Sequence, residues 1–512
     1  MFSRRGFTGR ARLAITPDMP TPDRLILRGA VSTGFGFAIR LGARLIFLFV
    51  AGHLFGAVLF GAYSLGVAIV EASVGLAGLS LKKTLFQMLD RHATRNEAAA
   101  FHVVIDAAIL VVAASAALAA AIMVTVSILA GGVLPEATAT ALFWLAPMIA
   151  GQNLVDILLA ATRWKHAIRY EVIGRSIVEP YALLLAALGA YYAGFSALGL
   201  IVGYWAGNIA INLFALFGVR RCFPTLGLRS YRPDPGELAA TLRWLLPNTA
   251  TDLLSGLYAR LDLYLVGILL GERASGIYSM AQQIRTPVRQ VRQSFDGLLI
   301  PMVAKTLDAK GAVVTGQALT TAARFILAIQ LPLLLAVIAV GGPLLEAVGP
   351  GFGIGYTALV LLTCAETIQG TLGLGDLLFV YLMPRAGLWI TLASFVTGIG
   401  GALLLIPLWG IGGAAAAMLF AFSLQALLRR LTLGNALNVR PPLLFSAGPL
   451  LAGAAGLAAA LAIRGVASGT AFDPRTILAL LAGLAVYGAA LALWLRLSGE
   501  KLAIKGFVAE AA

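Results

Sequence analysis

Charge is what this sequence has least of. Lys, Arg, Asp and Glu together make up 12% of 512 residues, about half the share of an ordinary globular chain. A water-soluble molecule of this length needs a polar surface, and too few polar residues are present to build one. No soluble domain large enough to hold an enzyme is left, and most of the surface must face hydrocarbon. Cysteine is nearly absent as well: Cys222 and Cys364 stand far apart in different kinds of segment, so no disulfide framework is expected. The four histidines (His53, His92, His102, His166) are scattered without ligand spacing, and neither a metal nor a cofactor is expected. No Gly-rich loop running into Lys-Ser/Thr occurs, which argues against direct use of ATP. The first 27 residues hold arginines and prolines but no apolar core, and read as a cytoplasmic tail rather than a signal peptide.

What is present is apolar: 60% of residues are hydrophobic and the mean hydropathy is +0.90. Runs of about 20 apolar residues predict fourteen spans, at 29–52, 57–80, 101–130, 138–161, 172–192, 196–217, 244–269, 274–300, 325–347, 356–382, 386–406, 411–428, 443–463 and 477–495. The net charge of +15 points to orientation in a membrane and not to nucleic acid, because the bases crowd into short loops between apolar runs. With the N-terminus in the cytoplasm, and with Arg175 near the start of its span counted with the loop before it, 29 of the 38 Lys and Arg fall in the two tails and the even-numbered loops. Only Arg273, Arg464 and Arg475 fall in the odd-numbered ones. That asymmetry places both termini in the cytoplasm of a bacterial cell, with the chain in its inner membrane. The eighth span is the hard one, since its second half reads RTPVRQVRQSFDG and resembles a charged surface helix. If it did not cross, every later basic loop would change sides, so the same rule favours a crossing.

The sequence repeats itself weakly. Ala43-Arg44-Leu45, Gly56 and Gly61-Ala-Tyr63-Ser64 in the first two spans match Ala259-Arg260-Leu261, Gly271 and Gly276-Ile-Tyr278-Ser279 in the seventh and eighth, at offsets of 215 or 216. Gly194 and Gly410 match at the same spacing. A repeat of six spans keeps its orientation, so its halves relate by an axis along the membrane normal, and the last two spans fall outside it. The Gly-x-Tyr-Ser turns and the run RLDLYLVG from Arg260 to Gly267 resemble the polysaccharide-transporter family. That family includes the Wzx-type O-antigen flippases of the multidrug/oligosaccharidyl-lipid/polysaccharide exporter superfamily. The resemblance implies an all-α polytopic fold. It predicts an N-terminal tail (1–28), an N-lobe (29–217), a cytoplasmic linker (218–243), a C-lobe (244–428), two extra lipid-facing helices (443–495) and a C-terminal tail (496–512). It also implies a central cavity that opens to alternate sides, a lipid-pyrophosphate-linked oligosaccharide as substrate, and other polysaccharide-assembly proteins as candidate partners.

Charges inside spans each need a reason, since one at the bilayer centre costs roughly 2.5–3.5 kcal/mol even on a lenient scale. On the eighth span Arg285, Arg289, Arg292 and Asp296 share one stripe. Arg40 and Arg44 form a second group, and Arg260 occupies the repeat position of Arg44. Guanidinium binds phosphate oxygens bidentately and never loses its charge, so these six arginines are candidate substrate ligands. The competing role is pairing with Glu71, Asp156, Glu179, Asp252, Asp262, Glu366 or Asp376, all within spans. Glu71 and Glu366 are also candidates for coupling transport to an ion gradient. Pro147, Pro180, Pro287 and Pro332 should kink their helices, and Gln152, Asn153, Asn208 and Asn212 suit interhelical hydrogen bonding. Two rival functions stand: a multidrug exporter of the same superfamily, which would want an acidic or aromatic cavity, and a membrane-embedded polysaccharide polymerase or glycosyltransferase, which would want a large external loop carrying acids or histidines.

Overall fold

Backbone groups facing hydrocarbon can pair only within their own segment, and this chain meets that demand with helices. The computed structural model describes residues 42–93, 97–130, 134–223, 235–375, 378–379, 382–437, 447–464 and 474–498. In chain order the helices are α1 (residues 42–55), α2 (Gly56–Ala77), α3 (Leu81–Ala93), α4 (Glu97–Leu129), α5 (Glu136–Trp164), α6 (Arg169–Tyr192) and α7 (Gly199–Cys222). There follow α8 (residues 235–270), α9 (residues 272–310), α10 (residues 312–348), α11 (Tyr356–Thr371), α12 (residues 384–409), α13 (residues 411–437), α14 (Ala447–Arg464) and α15 (Pro474–Ser498). Among the described residues nine helical stretches are long and apolar enough to cross a membrane, and two of them, Gly42–Ala77 and Arg385–Leu433, contain a glycine break and so hold more than one helix each. The protein is an all-helical polytopic membrane protein. Its outer surface carries large apolar side chains such as Ile128, Leu185, Leu404 and Leu408, each more than 65% exposed, as contact with lipid requires.

The repeat glycines stand where the chain turns. Gly56 and Gly271 have φ of 72° and 81°, and Gly194 and Gly410 have φ of 90° and 57°, values that cost an L side chain strain. Gly413 packs on the carbonyl of Leu405, eight positions earlier, so the chain doubles back at Gly410.

A second glycine pair makes the central contact. A Cβ on Gly61 would collide with the carbonyl of Glu272, and a Cβ on Gly276 with the carbonyl of Ala57. Shifting each residue by 215 positions turns one contact into the other, which is the pattern that a two-fold axis between the halves produces. Around it one core cluster draws on both halves, with Phe60, Leu145, Tyr278 and Phe352 at 1% exposure or less.

The predicted proline kinks are mostly present. The helix breaks at Arg285, two residues before Pro287, and at the Ala146–Pro147 turn in α5. A wider π turn over Gly174–Val178 precedes Pro180 in α6. Around Pro332 the chain stays helical, so that expected kink does not form. The last two helices pack on each other through Gly456 and Gly483, each against the other's carbonyl, the close approach that small residues allow in membranes. They dock on α10 beside Leu327, Leu331 and Leu335, where Tyr487 Oη donates to the Ala328 carbonyl at 2.7 Å.

Candidate functional site

Most of the intramembrane charges named above that lie among the described residues are paired, and one pair joins the two halves of the chain. Arg260 on α8 donates from Nε (3.1 Å) and Nη2 (2.8 Å) to Oε2 of Glu71 on α2, an ion pair that ties one half to the other. Its Nη1 donates to Gln282 Oε1 at 3.3 Å. Gln282 Nε2 and Tyr278 Oη each donate to Asp262 Oδ2 at 2.8 Å. Asp262 is 2% exposed, so these bonds are what make its burial tolerable. Tyr264 Oη adds a second tie across the halves, donating to the Ala68 carbonyl at 2.7 Å.

The next arginine along is paired too. Arg285 Nη1 lies 3.0 Å from Glu366 Oε1 on α11, with both side chains 7% exposed. The broken helix beside it is held by Gln330 of α10, which is fully buried and donates from Nε2 to the Val288 carbonyl at 2.9 Å. One turn further on the pattern changes. Arg289 is half-buried, feels the charges of Glu366, Arg285, Arg260 and Glu71, and makes no hydrogen bond or ion pair with any described residue. Arg292 donates from Nη1 to the Gln369 carbonyl at 3.2 Å, while its buried Nε has no partner among the described residues. At 1.5 Å per residue, Arg285, Arg289 and Arg292 lie roughly 14, 20 and 24 Å along α9 from the Gly276 contact. Arg44 on α1 is half-buried and near enough to Tyr63 to act on it electrostatically. Arg40 lies outside the described residues, as do Asp376 and the side chains of Asp252 and Asp296.

Arg175, counted above with the loop bases, sits inside α6 on the π turn. Its Nη2 is 2.7 Å from Asp156 Oδ1 and its Nη1 is 3.1 Å from Glu179 Oε2. Gln152 donates to Tyr204 Oη at 3.3 Å, and Tyr204 is buried and near enough to Glu71 and Glu179 to feel their charges. The signal that could have found Arg175 was present: an arginine followed by Glu179 four residues on, within an otherwise apolar run. The polar amides bond between helices as expected: Asn153 donates to Ser115 Oγ at 3.0 Å and Asn212 to the Gly151 carbonyl at 3.0 Å.

The two faces of this region are of opposite sign. The second half contributes Arg260, Arg285, Arg289 and Arg292 against Asp262 and Glu366; the first contributes Arg44 and Arg175 against Glu71, Asp156 and Glu179. Such a surface can attract an anion at the second half.

Comparison with known proteins gives the family and the fold. Residues 54–349 match the family described as polysaccharide biosynthesis proteins. The probable flippase AglR of Haloferax volcanii is 23% identical over 271 residues, which span 50% of this chain and 54% of that protein, so the chain covers only about half the length of this relative. Among solved structures, the lipid II flippase MurJ in an inward closed conformation superposes with a TM-score of 0.70 at 12% identity, covering 92% of this chain and all of the other. An inward-facing multidrug resistance MATE family transporter of the MOP superfamily superposes with a TM-score of 0.58 at 15% identity, covering 76% and 92%. With more than half of its length matched, and with the fold of these transporters rather than of an enzyme, the chain belongs to the polysaccharide biosynthesis protein family.

Proposed function

We propose that this protein is an alternating-access flippase. It moves an anionic lipid-linked oligosaccharide from the cytoplasmic to the periplasmic leaflet of a bacterial inner membrane, for surface polysaccharide such as lipopolysaccharide or exopolysaccharide. The observation that carries this reading is Arg289, a membrane-embedded guanidinium with no ionic partner among the described residues, beside the half-satisfied Arg292. A buried cation without a counter-charge is costly unless something supplies one in the working cycle. The pyrophosphate of a lipid-linked sugar has the right charge and the oxygen pairs that guanidinium binds in a fork. Similarity to a probable flippase and to a lipid II flippase supports the transport class.

In this reading the chain crosses fourteen times with both termini cytoplasmic. Its N-lobe is 29–217 and its C-lobe 244–428, joined by the 218–243 linker, and the helices of 443–495 stand apart on α10. Glu71 and Glu366 serve as coupling acids: protonating either would release its arginine toward substrate. Arg40, Arg44 and Arg260 complete the cationic lining. The test is export of surface polysaccharide by well-expressed Arg289 variants. Arg289→Lys should keep part of the activity, Arg289→Gln should lose most of it, and Arg289→Glu should abolish it. Normal export by Arg289→Gln with Arg292→Gln would remove the support, and a multidrug exporter would become the better reading.

A further inference from the structure

A large concavity lies away from the charged region, in the first half. It is a groove of about 990 Å³ between α4, α5 and α7, walled by Ile105, Ala108, Ile109, Leu154 and Leu213 and ending at Arg220 and Phe223. That volume is at the upper end of the roughly 300–1,000 Å³ of ligand pockets. The same groove recurs in the second half, between α10, α11 and α13, with a volume of about 450 Å³, and also ends at arginines, Arg429 and Arg430. Val104, Ile105 and Ala108 of the first groove correspond to Leu319, Thr320 and Ala323 of the second at the repeat spacing of 215. The groove is therefore part of the repeated unit.

The mouth of the first groove has a structured polar rim. Phe223 lies between Phe101, at 5.3 Å, and Trp164, which stacks on it at 3° and 6.4 Å. Lys165 Nζ lies 4.9 Å over the Phe223 ring and 5.4 Å over Trp164, and the Arg221 guanidinium lies 5.2 Å over Phe217. Lys165 and Arg169 both act electrostatically on Cys222 at the end of α7. Arg220 is exposed and makes no hydrogen bond or ion pair with any described residue. Four bases thus lie near the aromatic rings at the end of the apolar groove, where α7 ends at Cys222. Orientation of a span needs only the charges; it needs neither the groove nor the rings.

We propose that this groove holds an anionic phospholipid of the adjoining leaflet, with its acyl chains along the α4–α7 wall and its phosphate at Arg220, Arg221, Lys165 and Arg169. Basic pockets between helices at the membrane surface bind such headgroups, and bases there attract anionic lipid. The site is separate from the arginines of α9, so its failure and the failure of the flippase reading are distinguishable.

The test is native mass spectrometry of the full chain in micelles doped with equal amounts of phosphatidylglycerol and phosphatidylcholine of identical chains. The wild type should retain phosphatidylglycerol over phosphatidylcholine by at least roughly five-fold, the worth of about one well-placed base. Arg220→Gln should reduce that ratio, and replacing all four bases by Gln should bring it to about one. Ala108→Phe, which fills the groove and keeps every charge, should lower retention of both lipids. Equal retention of the two lipids by the wild type overturns the proposal. So does an unchanged phosphatidylglycerol count in Ala108→Phe, which would reduce the site to surface charge. Displacement of the lipid by millimolar inorganic phosphate would show a phosphate site without a lipid requirement, and would overturn it too.

Discussion

Replacing Glu366 by Gln leaves Arg285 charged in a setting where both side chains are 7% exposed. At 3.0 Å and an effective dielectric of 20 the pair attraction is about 5.5 kcal/mol. Part of that only offsets desolvation, so the loss on breaking the pair is expected at about 3–5 kcal/mol. Arg285→Met should cost a similar amount. The double variant Arg285→Met with Glu366→Leu removes both charges together and should recover most of the loss. Apparent melting midpoints in detergent of the wild type, Arg285→Met, Glu366→Leu and the double variant, with folded yield from size-exclusion profiles, give the four corners of the cycle. A coupling below about 0.5 kcal/mol, the level expected of independent sites, would refute the assignment of a buried pair. The same cycle informs function. A stable double variant that exports normally would assign Arg285 to the scaffold and leave the anion to Arg289 and Arg292. One that is stable but inactive would put Arg285 on the substrate path.

Three further outcomes are expected. Gly276→Val places a side chain into the Ala57 carbonyl and should sharply reduce folded protein, whereas Gly488→Ala, which meets nothing within 4 Å, should be neutral or stabilising by up to about 1 kcal/mol; equal effects on membrane levels would contradict the contact. Arg175→Gln leaves Asp156 and Glu179 facing each other and should lower the melting midpoint, with partial rescue by Asp156→Asn; no rescue would argue against the triad. One-sided reporters fused after residues 272, 312 and 468 and at the C-terminus should read periplasmic at 272 and 468 and cytoplasmic at the other two, and a cytoplasmic reading at 468 would exclude fourteen crossings.

Apolar runs alone locate most of the helices, because hydrocarbon demands internally paired backbone and leaves few alternatives. The repeat was legible for a stricter reason. Gly56, Gly271, Gly194 and Gly410 hold positive φ, where other residues are strained, so the turn imposes its residue on the sequence. Partners were not legible. Glu71 and Arg260 are separated by 189 positions, and Arg285 and Glu366 by 81. All four stand out as intramembrane charges, but periodicity places a residue on a face without saying which helix that face meets. That Arg289 has no partner among the described residues has the same origin: three arginines on one stripe look alike until the acids on α2 and α11 have been allotted to two different arginines. Arg175 escaped notice because its helix begins at Arg169, within what composition shows as a basic loop.

Glu71 and Thr286 stand at equivalent places in the two halves, 215 positions apart, as Gly61 and Gly276 do. The glycines meet each other, so the geometry demands the same residue twice. Glu71 meets Arg260 instead, and its counterpart is a threonine beside Arg285. A dimer of two identical six-helix chains would have to carry the carboxylate on both sides of its axis or on neither. Joining the halves in one polypeptide lifts that restriction, and here it has been used to place an acid at one seam and a cluster of cations at the other. In the proposed flippase that asymmetry acts like a compass needle: it gives a substrate with one charged end and one greasy end a single preferred way to lie.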